Sequence, residues 1–187
     1  MGKKRLVAIS APSGGGKSVV TRHILNKFPN VIFSVSATTR QSRPNEIDEK
    51  DYFFLTKEKF EELIKQNELI EWEELFGNYY GTLKSEVQKA IDNNRTMLFD
   101  IDVKGALSLK KHYPDDTILI FLAPPSKEVL IERLKKRGTE SEEQLKNRLA
   151  RAEMEISMSK DFDYIVVNDI LDETLQKVEQ IFIENCQ

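Results

Sequence analysis

The sequence predicts an α/β fold in which helices cover both faces of a parallel sheet. Three observations predict it. Apolar runs without alternation recur at residues 6–9, 97–99, 118–122 and 165–167, with a fifth at 31–35 interrupted by Ser34. Unbroken apolar runs suit strands buried on both faces, as parallel strands are. Segments with helical spacing lie between these runs, and that alternation builds a parallel sheet. The third observation is the junction after the first run. There a glycine-rich turn, Ala11, Pro12, Ser13, Gly14, Gly15, Gly16, Lys17 and Ser18, opens a helix with Val20, Ile24 and Phe28 on one face.

Strand, glycine turn, Lys-Ser and helix is the arrangement of a phosphate-binding loop. The glycines let the backbone curl and aim N–H groups at phosphate oxygens, and the helix N-terminus adds partial positive charge. Lys17 supplies a point charge for terminal phosphates and Ser18 a hydroxyl for Mg²⁺. The first position of the motif is Ala11 where glycine is usual, and a turn that merely joins strand to helix is the competing reading.

The elements follow in order. Ser85 with Gln88 reads as a capping box ahead of Val87, Ala90 and Ile91. Ala106 and Leu107 sit in a short helix stopped by Pro114, and Val129, Leu130 and Leu134 are spaced for a helix after Pro125. Ser141 with Gln144 reads as a second capping box, ahead of Leu145, Leu149, Ala152 and Ile156. Leu171, Leu175, Val178 and Phe182 mark a final amphipathic helix.

Two stretches break the rhythm. From about 40 to 80, strand-like segments at 51–55 and 69–74 flank a helix carrying Phe60, Leu63 and Ile64, and Gly77-Asn78 signals a turn. This reads as a small mixed lobe inserted in the core. Residues 126–159 are arginine-rich and helical, divided at Gly138-Thr139 as a mobile lid requires. The expected organisation is one domain, 1–187, with core 1–35, 82–125 and 160–187, inserted lobe 36–81 and lid 126–159.

A formal net charge of −3 gives no global pull toward nucleic acid or anionic membrane. Cys186 is the only cysteine, which excludes an intrachain disulfide or a cysteine zinc site. The basic start at residues 3–5 precedes an apolar run too short for a secretory core or a membrane span. The reading is a cytoplasmic protein, monomeric or a small homo-oligomer.

Arg40 and Arg43 flank a turn, and two guanidinium forks three residues apart can clamp one dianionic phosphate. A solvated basic loop has the same pattern. Tyr52 and Tyr80, in the same lobe, add phenolic donors or serve as packing. Glu71 and Asp100 are carboxylates in strand-like contexts, where an acid needs a partner. A carboxylate can accept from guanine N1–H and N2–H together. Asp102 reads equally as a second acid near Mg²⁺ and as a helix N-cap. Arg133 and Arg137 share a helix face and Arg148 lies on the next helix. They suit triphosphate charge, or a face paired with neighbouring glutamates.

The loop 11–18, Ser36 to Pro44, Asp51 to Phe54, Glu71-Trp72, Gly77 to Gly81, Asp100 to Asp102, Arg133 to Gly138 and Val167 to Asp169 together resemble the guanylate kinase family, in that order and over nearly the whole chain. The resemblance implies a P-loop kinase core with a five-stranded parallel sheet, a mixed α+β GMP-binding lobe, a helical lid, and ATP with Mg²⁺. It also implies roles for residues. The GMP phosphate would meet Ser36, Arg40, Arg43, Tyr52 and Tyr80, and guanine would meet Glu71, Thr82 and Asp100. ATP phosphates would meet the loop, Arg133, Arg137 and Arg148, with Asn168 and Asp169 near adenine. Asn45 stands where the family often has glycine and tolerates the same turn. Two other readings are a related binding module without phosphoryl transfer and a GTPase. The first is expected to lack Lys17 or the lid arginines. The second has a D-x-x-G pattern at 102–105 but no N-K-x-D motif.

Overall fold

A computed structural model describes residues 3–75, 77–135 and 142–187. The chain runs β1 (Leu6–Ser10), α1 (Lys17–Lys27), β2 (Ile32–Phe33), β3 (Ala37–Thr38), β4 (Phe53–Phe54), α2 (Lys57–Lys65), β5 (Leu69–Leu75), β6 (Asn78–Leu83) and α3 (Lys84–Asp92). It continues through β7 (Met97–Asp100), α4 (Val103–His112), β8 (Thr117–Ala123), α5 (Lys127–Lys135), α6 (Glu142–Met158), a 3₁₀ turn at Ser159–Asp161, β9 (Tyr164–Val167) and α7 (Leu171–Cys186).

Five strands form one parallel sheet in the order β2-β7-β1-β8-β9. All five residues of the central β1 are buried, because helices cover both sides. One face packs Val7, Ile9, Leu98 and Ile120 against Val20 and Ile24 of α1 and Val178 and Phe182 of α7. The other packs Leu6, Phe99 and Phe121 against Val87 of α3 and Ala106 and Leu109 of α4. Ile9 aligns with Asp100 across the β1–β7 pair, so Asp100 ends its strand beside the entrance to the glycine loop.

The inserted segment forms a second sheet, ordered β4-β3-β6-β5, with β3–β4 parallel and the other pairs antiparallel. Its own small core is Ala37, Phe60 and Leu69. Thr56 caps α2 through its side chain, and Gly77 takes φ of 77° on the way into β6.

Several local expectations are corrected. The 31–35 run pairs only at Ile32–Phe33 before the chain leaves for the second sheet. Strand β9 is an edge, so Ile165 and Val167 stay about half exposed and only one face is covered. Ser85 caps nothing: β6 runs straight into α3, Leu83 takes the cap position, and Ser85 falls inside the first turn. Ser141, with the Gly138-Thr139 break, lies outside the described residues, although helices stand on both sides of it. Strands β3 and β6 were not expected at all. No described helix is long and apolar enough to cross a membrane.

Phe60 is fully buried in the small core of the second sheet. Phe60→Ala is expected to cost about 3–5 kcal/mol. Hydrogen exchange should report the loss in residues 37–83 ahead of the parallel sheet, because the two cores are separate clusters.

Candidate active site

The loop closes as its glycines allow. Gly14 and Gly16 adopt φ of 85° and 86°, and Gly15 N–H donates to Pro12 O at 2.8 Å. Gly16 is the left-handed N-cap of α1, so the helix starts with its N–H groups beside the loop and no side-chain cap over them. Lys17 Nζ lies 2.6 Å from Asp100 Oδ1 and donates to Ile101 O at 3.1 Å. A cavity of about 450 Å³ is lined by residues 11–19 of the loop together with Asp102, Arg148, Arg151 and Glu155.

Asp102 is the N-cap of α4, accepting from Gly105 N–H at 2.8 Å through Oδ1, while Oδ2 lies 3.3 Å from Arg151 Nη2. It caps the helix as one of the two readings held, and its carboxylate still borders the loop cavity. Ser18 borders the same cavity. The oxygen donors of Ser18 and Asp102 suit a hard cation such as Mg²⁺, and the loop beside them suits the phosphates that usually complete its shell.

Asn168, expected near adenine, sets its side chain against the glycine loop. It is buried, its Nδ2 donates to Gly15 O at 2.7 Å, and its Oδ1 accepts from Thr174 at 3.0 Å. Its side chain therefore faces inward, with the amide satisfying the carbonyl of the tight loop. Its own backbone oxygen accepts from Arg133 Nη1 at 3.0 Å, which brings Arg133 to the loop. Arg148 is exposed at the cavity rim, and Arg137 lies outside the described residues.

The second lobe supplies another anion-type cluster. Arg40 is held by both oxygens of Glu46, at 2.8 and 2.9 Å, and lies 5.2 Å from the ring centre of Tyr52. Tyr52 and Tyr80 meet edge to face at 6.3 Å. The hydrogen bond from Arg40 pulls Glu46 below the ordinary carboxylate range, and the same bond raises Arg40. Arg43 is exposed and donates its backbone N–H to Glu46 at 2.7 Å. Ser36 is part-buried just before β3.

Glu71 on β5 accepts from the Thr82 hydroxyl of β6 at 2.7 Å. The bulge between Leu69 and Trp72 falls at this point of the β5–β6 pair. Burial pushes Glu71 above the ordinary carboxylate range, against the Thr82 hydrogen bond. Gly105 of α4 lies so close that a Cβ there would meet Glu71 Cγ at 3.2 Å.

Sequence reasoning missed Glu46, Arg151 and Glu155. Arg151 is three residues beyond Arg148, a spacing that puts both on one face of α6. That spacing was readable; the carboxylates were hidden among many surface charges.

A parallel sheet whose first strand opens into this loop, with a lysine at its end and a second lobe beside it, defines the P-loop nucleotide-binding class. Residues 3–185 match the family model described as guanylate kinase. The guanylate kinase of Chlorobium luteolum is 49% identical over 174 residues, which is 93% of this chain and 88% of that one. That of Chlorobaculum tepidum is 51% identical over 93% of this chain and 89% of its own. The crystal structure of guanylate kinase from Anaplasma phagocytophilum superposes with a TM-score of 0.72 at 30% identity, covering 100% of this chain and 89% of that one. The chain belongs to the guanylate kinase family.

The Glu71 carboxyl is raised in the folded state, so folding favours its protonated form. Its contribution to stability is full below the ordinary value near 4.5 and is lost as pH rises through the raised one. Glu71→Gln is therefore expected to melt above the parent protein at pH 7, with the difference shrinking toward pH 4 in a series of thermal melts. A variant no more stable than the parent at pH 7 would contradict this.

Proposed function

We propose that the protein transfers the γ-phosphoryl group of ATP to GMP or dGMP, giving ADP and GDP or dGDP, in the cytoplasm and with Mg²⁺. The observation that carries this reading is the 2.6 Å contact between Lys17 and Asp100. It sets the phosphate loop beside a carboxylate proposed to read the purine, at the ends of the neighbouring core strands β1 and β7, so the donor and acceptor sites would adjoin.

The loop backbone and Lys17 hold the ATP phosphates, with Lys17 stabilising charge on the group in transfer. Arg133, Arg148 and Arg137 add positive charge to the same phosphates. Arg40 and Arg43, with Ser36, Tyr52 and Tyr80, take the GMP phosphate. Glu71 and Asp100 accept from guanine N1–H and N2–H, and the Thr82 hydroxyl completes the pocket. Asn168 and Asp169 lie on the adenine side, the Asn168 side chain also holding the loop from behind. Ser18 and Asp102 hold the Mg²⁺, which when bound neutralises phosphate charge. The lobe 36–81 and the lid 126–159 close over the core, expelling water that would otherwise take the phosphoryl group.

Two outcomes test the reading. Lys17→Met keeps the side-chain length without the charge, and kcat for GMP phosphorylation should fall by a factor on the order of 10²–10³ or more while the melting curve persists. A folded variant with near-normal kcat removes the loop from catalysis.

Base choice gives the second. Adenine presents an acceptor at N1 and no N2 amino group, which leaves the Glu71 carboxylate unsatisfied. AMP should be disfavoured against GMP by roughly 10⁴-fold in kcat/KM, and Glu71→Gln should lose most GMP efficiency with little change in ATP affinity. Unchanged GMP/AMP selectivity in that variant would take Glu71 out of base reading.

A further inference from the structure

The loop cavity contains a feature that phosphate binding alone does not explain. Glu155 is only 6% exposed and lines the cavity together with the glycine loop. A buried carboxylate facing a polyanion site is unfavourable twice, by desolvation and by repulsion. Burial indeed pushes its carboxyl above the ordinary range. Asp102 lines the same cavity, and Glu73 of β5 adds to the negative field there.

Arg151 faces all three, with Lys17 adding positive charge near Glu155. Arg151 Nε donates to Glu155 Oε1 at 3.1 Å, one helical turn along α6, and Arg151 Nη2 reaches Asp102 Oδ2 at 3.3 Å. The guanidinium is planar, so the bond from Nε fixes the plane of the whole group. The Nη edge then looks across the cavity toward Asp102, which is on the side of the loop. Arg148, one turn earlier on the same face, lines the same cavity.

We infer that Arg151 is a further phosphate-binding residue of the ATP site, aimed into the loop cavity by Glu155. The inference rests on the proposed reading of that cavity as the ATP site. Glu155 is a positioning residue: it touches no phosphate and acts by holding the arginine in plane. Arg151 also joins α6 to the N-cap of α4 through Asp102, so the residue inferred to bind phosphate also sets that helix against the core.

Equilibrium ATP binding to the full chain, by calorimetry, tests this in the parent protein and in Arg151→Ala, Arg151→Lys, Glu155→Gln and the double variant Arg151→Ala/Glu155→Gln. GMP binding and thermal melts serve as controls. Arg151→Ala should weaken ATP binding by about 10- to 100-fold, as loss of a charge-assisted contact does, with GMP affinity unchanged. Arg151→Lys should fall between, because an ammonium lacks the fork. The double variant should bind ATP as weakly as Arg151→Ala. Parent-like ATP affinity in folded Arg151→Ala overturns the inference. So does recovery in the double variant, which would mean that Arg151 only neutralises Glu155. A parent protein that binds no ATP would overturn the ATP-site reading itself, an outcome distinct from either.

Discussion

The buried amide of Asn168 is the contact on which the site depends. Its nitrogen holds the carbonyl of Gly15, its oxygen takes the Thr174 hydroxyl of α7, and its backbone oxygen takes Arg133 of α5. The loop, the end of β9 with the helix that follows it, and α5 are thus tied at one residue. A loop with left-handed glycines at Gly14 and Gly16 has few ways to satisfy its own carbonyls. An amide supplied from behind does so without covering the N–H groups in front. Gly16 also has to lack a Cβ, since one would collide with that amide.

The parallel sheet turns this local clamp into a site. Every strand of the sheet runs the same way, so the loop after β1, Asp100 after β7 and Asn168 after β9 emerge at one edge. The second lobe hangs from that edge through β2 and returns into α3, which brings Glu71 over the N-terminus of α4. The loop and Asn168 therefore sit on short connections at the ends of the strands that place them, of which the central β1 is buried throughout.

The parts legible in sequence were those set by local rules. Runs of β-branched and large apolar residues marked all five parallel strands, although the 31–35 run pairs only at Ile32–Phe33, and the glycine-lysine-serine turn marked the loop. The helices α5 and α6 and the helical faces bearing Val20, Ile24, Val178 and Phe182 were equally plain. What stayed hidden depends on pairing across long distances. The two-residue strand β3 is too short to show a period, and β6 mixes Tyr79, Tyr80, Gly81 and Thr82 in a pattern that only the pairing with β5 makes a strand. Ser85 looked like a cap because a cap is a local pattern, whereas the helix start was fixed by the preceding strand. Glu46 could not be matched to Arg40 without the turn that brings them together.

That last pair has a consequence for what the lobe admits. Both oxygens of Glu46 occupy the Nη fork of Arg40, so an anion that takes that fork must displace a carboxylate already on the chain. A neutral nucleoside has nothing to trade. A singly charged diester offers no more charge than it displaces, whereas a phosphate monoester brings close to two charges and three oxygens. The internal counter-ion keeps the arginine folded into place against Tyr52, and a dianion is better matched than a monoanion to displace it.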